Sequence, residues 1–331
     1  MLEIREANTP GEIRAFFSLS KACGYFGEEI KYLKLFACPS VNPLRANGPL
    51  KYLSVYRDGE IVFRALAGSD EYFKEKSGKR IGYFSLFDGY RDAEAARLIL
   101  DKIMTLQREW KNVEVIGPVS PDGSGFFHGL GETDAGNRRG VMTGNGSEWS
   151  IEALKDYGFS EMEADNAYLL TIPETDRYKK YASFSKEKFG LTVLPMKPGI
   201  FREKWKEAIA SLSKEEERSD TYRYLEKIRP MISRKHSFLC FSGEKCLGYL
   251  IVLKGALSRL RACTVFTERD GFSPPVTVCL LSGFLSSCIE KGVREAEGSV
   301  IREDNLRSNL QISALGTHEK RRYVRFIKKV L

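Results

Sequence analysis

The chain states one arrangement twice. Asn145 precedes an amphipathic helix pattern, Trp149-Ser-Ile-Glu-Ala-Leu154-Lys-Asp-Tyr-Gly158, which stops at glycine and yields to Ala167-Tyr-Leu-Leu-Thr-Ile172, a run of strand formers. Near the C-terminus Asn305 precedes a helix pattern through Leu306, Leu310, Ile312 and Leu315, a stop at Gly316, and then Tyr323-Val-Arg-Phe-Ile327. In both places the apolar period changes from about 3.6 to a strand-like run across a glycine able to take the left-handed conformation that closes a helix. A repeat of this kind predicts two domains of one design in tandem.

Reading backwards from each glycine extends the match. The first half offers strands at Tyr52-Leu-Ser-Val-Tyr56, Ile61-Val-Phe-Arg-Ala-Leu66 and Ile81-Gly-Tyr-Phe-Ser-Leu-Phe87, with a hairpin turn at Arg57-Asp-Gly-Glu60. A strong helix from Asp92 to Trp110 and a short strand at Val113-Glu-Val-Ile116 follow. The second half repeats this with strands at His236–Phe241, Cys246–Leu253 and Leu260–Phe266, a helix from about Pro275 to Lys291, and a short strand ending near Ile301. Each half reads as helices, three antiparallel strands, helix, strand, helix, strand. The fold class is mixed α/β, and the strand–helix–strand step implies a parallel crossover. We expect domains over 1–175 and 190–331, divided within Pro173 to Pro195, where Pro, Lys and Ser cluster.

Composition narrows the classes of function. In 331 residues, 42% of them apolar, there is enough material for two cores. No apolar run is long enough to span a membrane, and Met-Leu-Glu-Ile-Arg-Glu-Ala does not read as a signal peptide. The seven cysteines are scattered without a C-x-x-C pair, and the three histidines lie far apart, so we expect no disulfide and no metal site. These features point to the cytoplasm.

A net charge of +8 is compatible with an anionic partner. The densest block, Lys320-Arg-Arg322 with Arg325, Lys328 and Lys329, reads either as a patch for nucleic acid or a phosphorylated ligand, or as the charged edge of a sheet. Its aromatics are not interleaved in the way a base-stacking platform would require, which weighs against nucleic acid and for the sheet edge.

Several short stretches resemble those of the GNAT acyltransferase superfamily, in the manner of bacterial tandem GNAT-like proteins. In the first half these are Asn42-Pro43, Asp58-Gly59, Gly82-Tyr-Phe84 with Phe87, Gly117-Pro-Val119, Ala153-Leu154 and Gly158-Phe159. In the second they are Gly248-Tyr249, Glu303-Asp-Asn305, Leu315-Gly316 and Lys320-Arg-Arg-Tyr323. The resemblance implies two tandem GNAT-like domains, each a mixed, mostly antiparallel sheet flanked by helices. It also implies acetyl-CoA or another acyl-CoA held where two parallel strands splay, with its pyrophosphate on backbone N–H groups before the long helix.

For the family's phosphate loop the first half offers Phe87-Asp-Gly-Tyr-Arg-Asp92, whose two carboxylates would repel pyrophosphate. The second half offers Thr267-Glu-Arg-Asp-Gly-Phe-Ser-Pro-Pro275, with one glycine where the family pattern has two. The resemblance therefore places cofactor contacts at Phe266, Arg269, Gly271, Phe272 and Ser273, and at Asn305 ahead of the last helix. Many superfamily members carry a tyrosine four residues before the glycine that ends the last helix. Here Leu154 and Ile312 occupy those positions. No general base or acid is singled out, and Glu303 and Asp304 read first as helix-terminal charges.

The segment 122–147 is long for a connection inside a compact domain, and its glycines lack the Gly-Lys-Ser/Thr of a P-loop. Phe126, Phe127 and His128 are expected either to shape a substrate pocket or to belong to a surface loop. Two functions stay open at this level. One is an acyl-CoA-dependent N-acyltransferase acting on a small-molecule or peptide amine. The other is a catalytically degenerate ligand- or partner-binding protein of the same fold. A tRNA-dependent aminoacyl transfer ranks below both, because the basic block is small.

Overall fold

A computed structural model describes residues 1–37, 48–69, 78–119, 127, 129–132, 143, 144, 146, 148–176, 178–196, 229–254, 260–267, 273–298, 300–313 and 315–330. The chain starts with β1 (Leu2–Ala7), α1 (Pro10–Ala22), α2 (Gly27–Ala37), β2 (Leu50–Arg57), β3 (Glu60–Ser69) and β4 (Ile81–Gly89). It continues with α3 (Ala93–Glu109), β5 (Glu114–Gly117), β6 (Leu130–Gly131), α4 (Glu148–Asp156) and β7 (Ser160–Thr171). Next come α5 (Lys179–Phe189), β8 (Leu191–Pro195), β9 (Phe238–Ser242), β10 (Lys245–Lys254), β11 (Leu260–Thr267) and α6 (Ser273–Glu290). The chain closes with β12 (Glu295–Gly298), β13 (Ile301–Arg302), α7 (Leu306–Ser313) and β14 (Thr317–Lys329).

Local chemistry sets the ends of these elements. At α1, the Thr9 hydroxyl accepts from the Glu12 amide while the Glu12 carboxylate accepts from the Thr9 amide, a reciprocal cap behind Pro10. Asp58 and Gly59 both have positive φ, 51° and 89°, the backbone that a tight β2–β3 hairpin requires. Gly158 and Gly316, the two glycines that frame the repeat, sit at φ 90° and 88°. The Phe159 amide reaches back to the Leu154 carbonyl at 3.0 Å, closing α4.

The backbone divides into two compact units with the same strand order. In the first, β1, β2, β3 and β4 are antiparallel neighbours, β5 adds parallel to β4, and an antiparallel strand closes the sheet beyond β5. In the second, β8, β9, β10 and β11 repeat the antiparallel run, β12 adds parallel to β11, and an antiparallel strand again closes it. The closing strands come from unexpected places. β14, at the end of the chain, pairs with β5 of the first unit, Phe326 opposite Gly117 and Lys328 opposite Val115. β7, from the first repeat, pairs with β12 of the second, Thr171 opposite Glu295. The first unit thus comprises residues 1–166, 301–305 and 321–331, and the second 167–300 and 306–320.

Each unit has its own core. In the first, the apolar stripe of α3, including Ile99, Leu100 and Ile103, packs on Leu53, Phe63, Phe84 and on Val324 and Phe326 of β14. In the second, α6 is apolar around most of its circumference because it is covered twice, by the sheet and by α5. Val276, Leu280 and Phe284 join Cys240, Leu250 and Ala182. α5 and the edge strands β1 and β8 carry no strong sequence pattern, and their places follow from the tertiary fold. Cys23, Cys240, Cys246, Cys279 and Cys288 are buried thiols, and burial pushes those of Cys240 and Cys288 up to about 12. No helix among the described residues is long and apolar enough to cross a membrane.

Candidate functional site

Each unit contains one pair of parallel strands that separates after three residues. In the first, Ile81–Tyr83 pairs with Glu114–Ile116, and β4 then bulges opposite β3 between Arg64 and Leu66. In the second, Leu260–Ala262 pairs with Ala296–Gly298, and the register opposite β10 shifts between Ile251 and Val252. Such divergence leaves main-chain N–H and C=O groups turned toward the gap, ready to take an extended ligand as though it were another strand.

The first gap is filled from within. The chain leaving β5 stays alongside β4, so that the Val119 amide donates to the Phe84 carbonyl at 2.9 Å, and the Ser85 hydroxyl donates to the Val119 carbonyl at 2.5 Å. The wholly buried Phe84 ring lies so close to Gly117 that a Cβ there would stand 2.4 Å away. Phe87 and Phe159 pack on that ring edge-on, with centroids at 5.9 and 5.5 Å.

The helix start beside this gap is also occupied. Asp92 caps α3 by accepting from the Ala95 amide at 3.0 Å, and Arg57 reaches it at 2.7 Å. Burial alone would raise the Asp92 pKa. The Ala95 amide and the Arg57 guanidinium more than offset this and hold the carboxyl below its usual range. A carboxylate already stands where a phosphate would bind.

On β3 and β4, Arg64 and Asp88 form a buried ion pair, which the Tyr25 hydroxyl joins by donating to Asp88 at 2.6 Å. Phe127 is 1% exposed, with φ of 57°, and packs on Tyr25 and Tyr32. It belongs to a buried aromatic cluster, while Phe126 and His128 lie outside the described residues. Nearby parts of the glycine-rich segment are pinned to β14. Leu130 pairs with Val324, and the Tyr323 hydroxyl donates to Thr143 at 3.2 Å.

The second unit holds most of the residues that the resemblance singled out. Phe266 lies on β11 opposite Tyr249, and β11 leads toward Ser273, the first residue of α6. Arg269, Gly271 and Phe272 lie outside the described residues. β11 continues to Thr267, beyond its last pairing with β12 at Ala262, and no strand among the described residues pairs with it along that side. In contrast to α3, the first turn of α6 contains no acidic residue. Asn305 stands apart. It belongs to the first unit, is exposed, and its amide donates to the Arg302 carbonyl at 3.0 Å.

The two positions four residues before the closing glycines are apolar in packing as well as in sequence. Leu154 is wholly buried, and Ile312 packs at Gly298, where a Cβ would meet its Cδ1 at 2.0 Å. Tyr157 donates its hydroxyl to Asp101 at 2.6 Å on the flank of α3, and burial together with that bond raises its pKa.

The basic block runs along β14, the last strand of the first unit's sheet, with β5 beside it. Arg322, Arg325 and Lys328 of this block are engaged within the first unit. Arg322 pairs with Glu132, Glu161 and Glu303, Arg325 with Glu163 and Asp165, and Lys328 donates to the carbonyls of Tyr157 and Gly158. Asp304 is held by Arg302 at 2.7 Å. The sequence signal for the Arg64–Asp88 pair was a charged residue in the middle of an apolar strand run, and sequence reasoning passed over it.

No protein-family model and no curated protein sequence matches the chain. Solved structures do. A tandem GNAT protein from the clavulanic acid biosynthesis pathway matches with a TM-score of 0.65 at 12% identity, over 100% of this chain and 99% of that one. A GCN5-related glucosamine N-acetyltransferase region of a fungal multi-domain GH3 β-N-acetylglucosaminidase matches at 0.62 and 12% identity, over 99% of this chain, which spans 38% of that protein. A GCN5-related N-acetyltransferase from Sphaerobacter thermophilus matches at 0.52 and 15% identity, over 99% of this chain and 96% of that one. At these identities the likeness is one of fold, and it agrees with the repeated strand order and the two diverging parallel pairs: this chain has the GCN5-related N-acetyltransferase fold in tandem.

Proposed function

We propose that the protein is an acyl-CoA-dependent N-acyltransferase whose second unit takes the acyl-CoA and whose first unit has given up that role. The contrast between the two gaps carries this reading. In the first unit Val119, the Phe84 cluster and the Asp92 carboxylate occupy the positions a pantetheine chain and a pyrophosphate would need. In the second, β11 beyond Ala262 keeps β10 on one side but has no strand on the β12 side among the described residues, and α6 starts without an acidic residue in its first turn.

Bound acyl-CoA would supply a thioester carbonyl, which an incoming amine attacks as the C–N bond forms and the C–S bond breaks. The main chain of β11 would align the cosubstrate, and the loop around Gly271 and Ser273, with Arg269, would hold its phosphates. The acceptor is a small-molecule or peptide amine. The buried, reduced cysteines support a cytoplasmic setting.

A second reading rests on Leu154 and Ile312. With apolar side chains where many superfamily members carry the tyrosine that protonates the leaving thiolate, the fold would serve to bind a ligand or partner without turnover. Calorimetry with coenzyme A and a thiol-release assay with acetyl-CoA and a panel of amines separate the two. Arg269→Ala should weaken coenzyme A binding by roughly 10- to 150-fold, the range expected for one charge-assisted contact. Unchanged affinity in that variant would sink the assignment to the second unit. Binding without thiol release across the panel would favour the non-catalytic reading.

A further inference from the structure

The C-terminal half of α6 borders a second concavity that acyl transfer does not use. With α5 and β8 it walls a cavity of about 870 Å³, within the usual range of roughly 300–1,000 Å³ for small-molecule pockets. Lining residues such as Ser282 and Lys291 lie nine or more positions beyond Ser273, which along a helix is at least about 13 Å from the start of α6.

The cavity has an apolar floor and a cationic rim. Ala182, Val193, Met196 and Phe238 form the floor, and a Cβ at Gly283 would stand 3.2 Å from the Phe238 ring. Lys179 and Lys186 reach the rim from α5, and Arg234 and Lys235 from the turn before β9. These four side chains belong to exposed residues on two elements. The carboxylate in the lining, Glu290, is bound to Lys291 at 2.7 Å. Asp176, just behind, accepts from the hydroxyls of Ser282 and Ser286 at 2.6 and 2.8 Å.

The rim charges act on buried neighbours. His236 is held below its ordinary pKa, first by burial and then by Lys235 and Lys291. Lys186 likewise opposes the upward push of burial on Cys279. Cations from both sides of the cavity thus raise its potential.

We propose that this cavity is a binding site for a small organic anion with an apolar body, such as an aryl or alkyl carboxylate, sulfonate or phosphate, separate from the acyl-transfer gap. The apolar part is removed from water against Phe238 and Val193, and the anionic group meets the lysines and Arg234 at the rim. A ligand of charge alone would leave the floor wet, and an apolar one would leave the rim lysines unmatched.

The test uses 8-anilinonaphthalene-1-sulfonate as the probe, titrated by fluorescence into the full-length chain. Saturable binding is expected, weakened at least tenfold in the Lys186→Gln, Lys235→Gln double variant. A control with Lys31→Gln and Lys34→Gln, exposed on α2, should bind as the unaltered protein does. Saturating coenzyme A should leave the probe's affinity unchanged. The proposal is overturned by absence of saturable binding, by equal affinity in the Lys186/Lys235 variant, or by displacement with coenzyme A. Because the altered lysines are exposed, the fold is retained in each variant. The result is independent of whether the second unit transfers acyl groups.

Discussion

Arg64 and Asp88 face each other from adjacent strands with almost no exposure, Arg64 Nε donating to Asp88 Oδ1 at 2.6 Å. The same guanidinium donates to the Phe16 carbonyl at 3.0 Å and the Ser20 hydroxyl at 2.7 Å, and so ties α1 to the bulged end of β4. Burial disfavours its charge, but Asp88 overrides this and raises its pKa further. Arg64→Ala should cost about 3–5 kcal/mol, because Asp88 is left buried without its counter-charge. Urea unfolding measures this, and the doubly apolar Arg64→Met, Asp88→Leu variant should recover part of the loss. If Arg64→Ala were neutral, the pair would contribute nothing to the first unit.

Gly82→Ala tests a close approach. A Cβ at Gly82 would stand 1.7 Å from Gln107 Oε1, and the Gln107 amide group donates to the carbonyls of Gly68 and Tyr83 at 3.2 and 3.3 Å and accepts from Asn112 at 2.6 Å. Displacing it leaves buried polar groups unmatched, at a cost of about 1–3 kcal/mol. Thermal unfolding of Gly82→Ala should show the drop, and adding Gln107→Ala should restore little, since the carbonyls remain unpaired.

Asp92→Ala removes the cap of α3 and should lower stability by about 0.5–2 kcal/mol near neutral pH. The acid dependence has a definite sign. The folded pKa of Asp92 lies below its ordinary value of 3.8, so its contribution is present above that pH and lost as pH falls through the lower folded value. Urea unfolding at a series of pH values should therefore find the gap between native and variant closing below about pH 4. A gap that widened in acid would contradict the assignment.

The exchange of closing strands predicts how fragments behave. Residues 1–175 alone lack β14, and with it Val324 and Phe326, both wholly buried in the first core. Losing two such side chains, at about 2–5 kcal/mol each, is comparable with the whole stability of a domain. The fragment should show no cooperative unfolding. Adding a synthetic peptide of residues 317–331 should restore it, whereas a peptide with Val324→Asp and Phe326→Asp should not. Cooperative folding of the fragment by itself would refute the dependence on β14.

Sequence by itself determined the repeated elements. The 3.6-to-2 change of period across Gly158 and Gly316, the Asp58-Gly59 turn and the strong stripe of α3 are all local, and local signals survive in a linear reading. It also marked the inhospitable first phosphate loop, since two carboxylates in Phe87–Asp92 are visible without coordinates. Tertiary structure alone decided where each closing strand belongs. β7 and β14 have similar patterns, and pairing depends on long-range register that period cannot encode. It alone decided that Arg322 and Arg325 of β14 face carboxylates on other elements, and that Val119 and Phe84 meet in the first gap. Hydrogen bonds between distant segments and the shape of a packed ring have no signature in residue order, because they exist only once the chain has closed on itself.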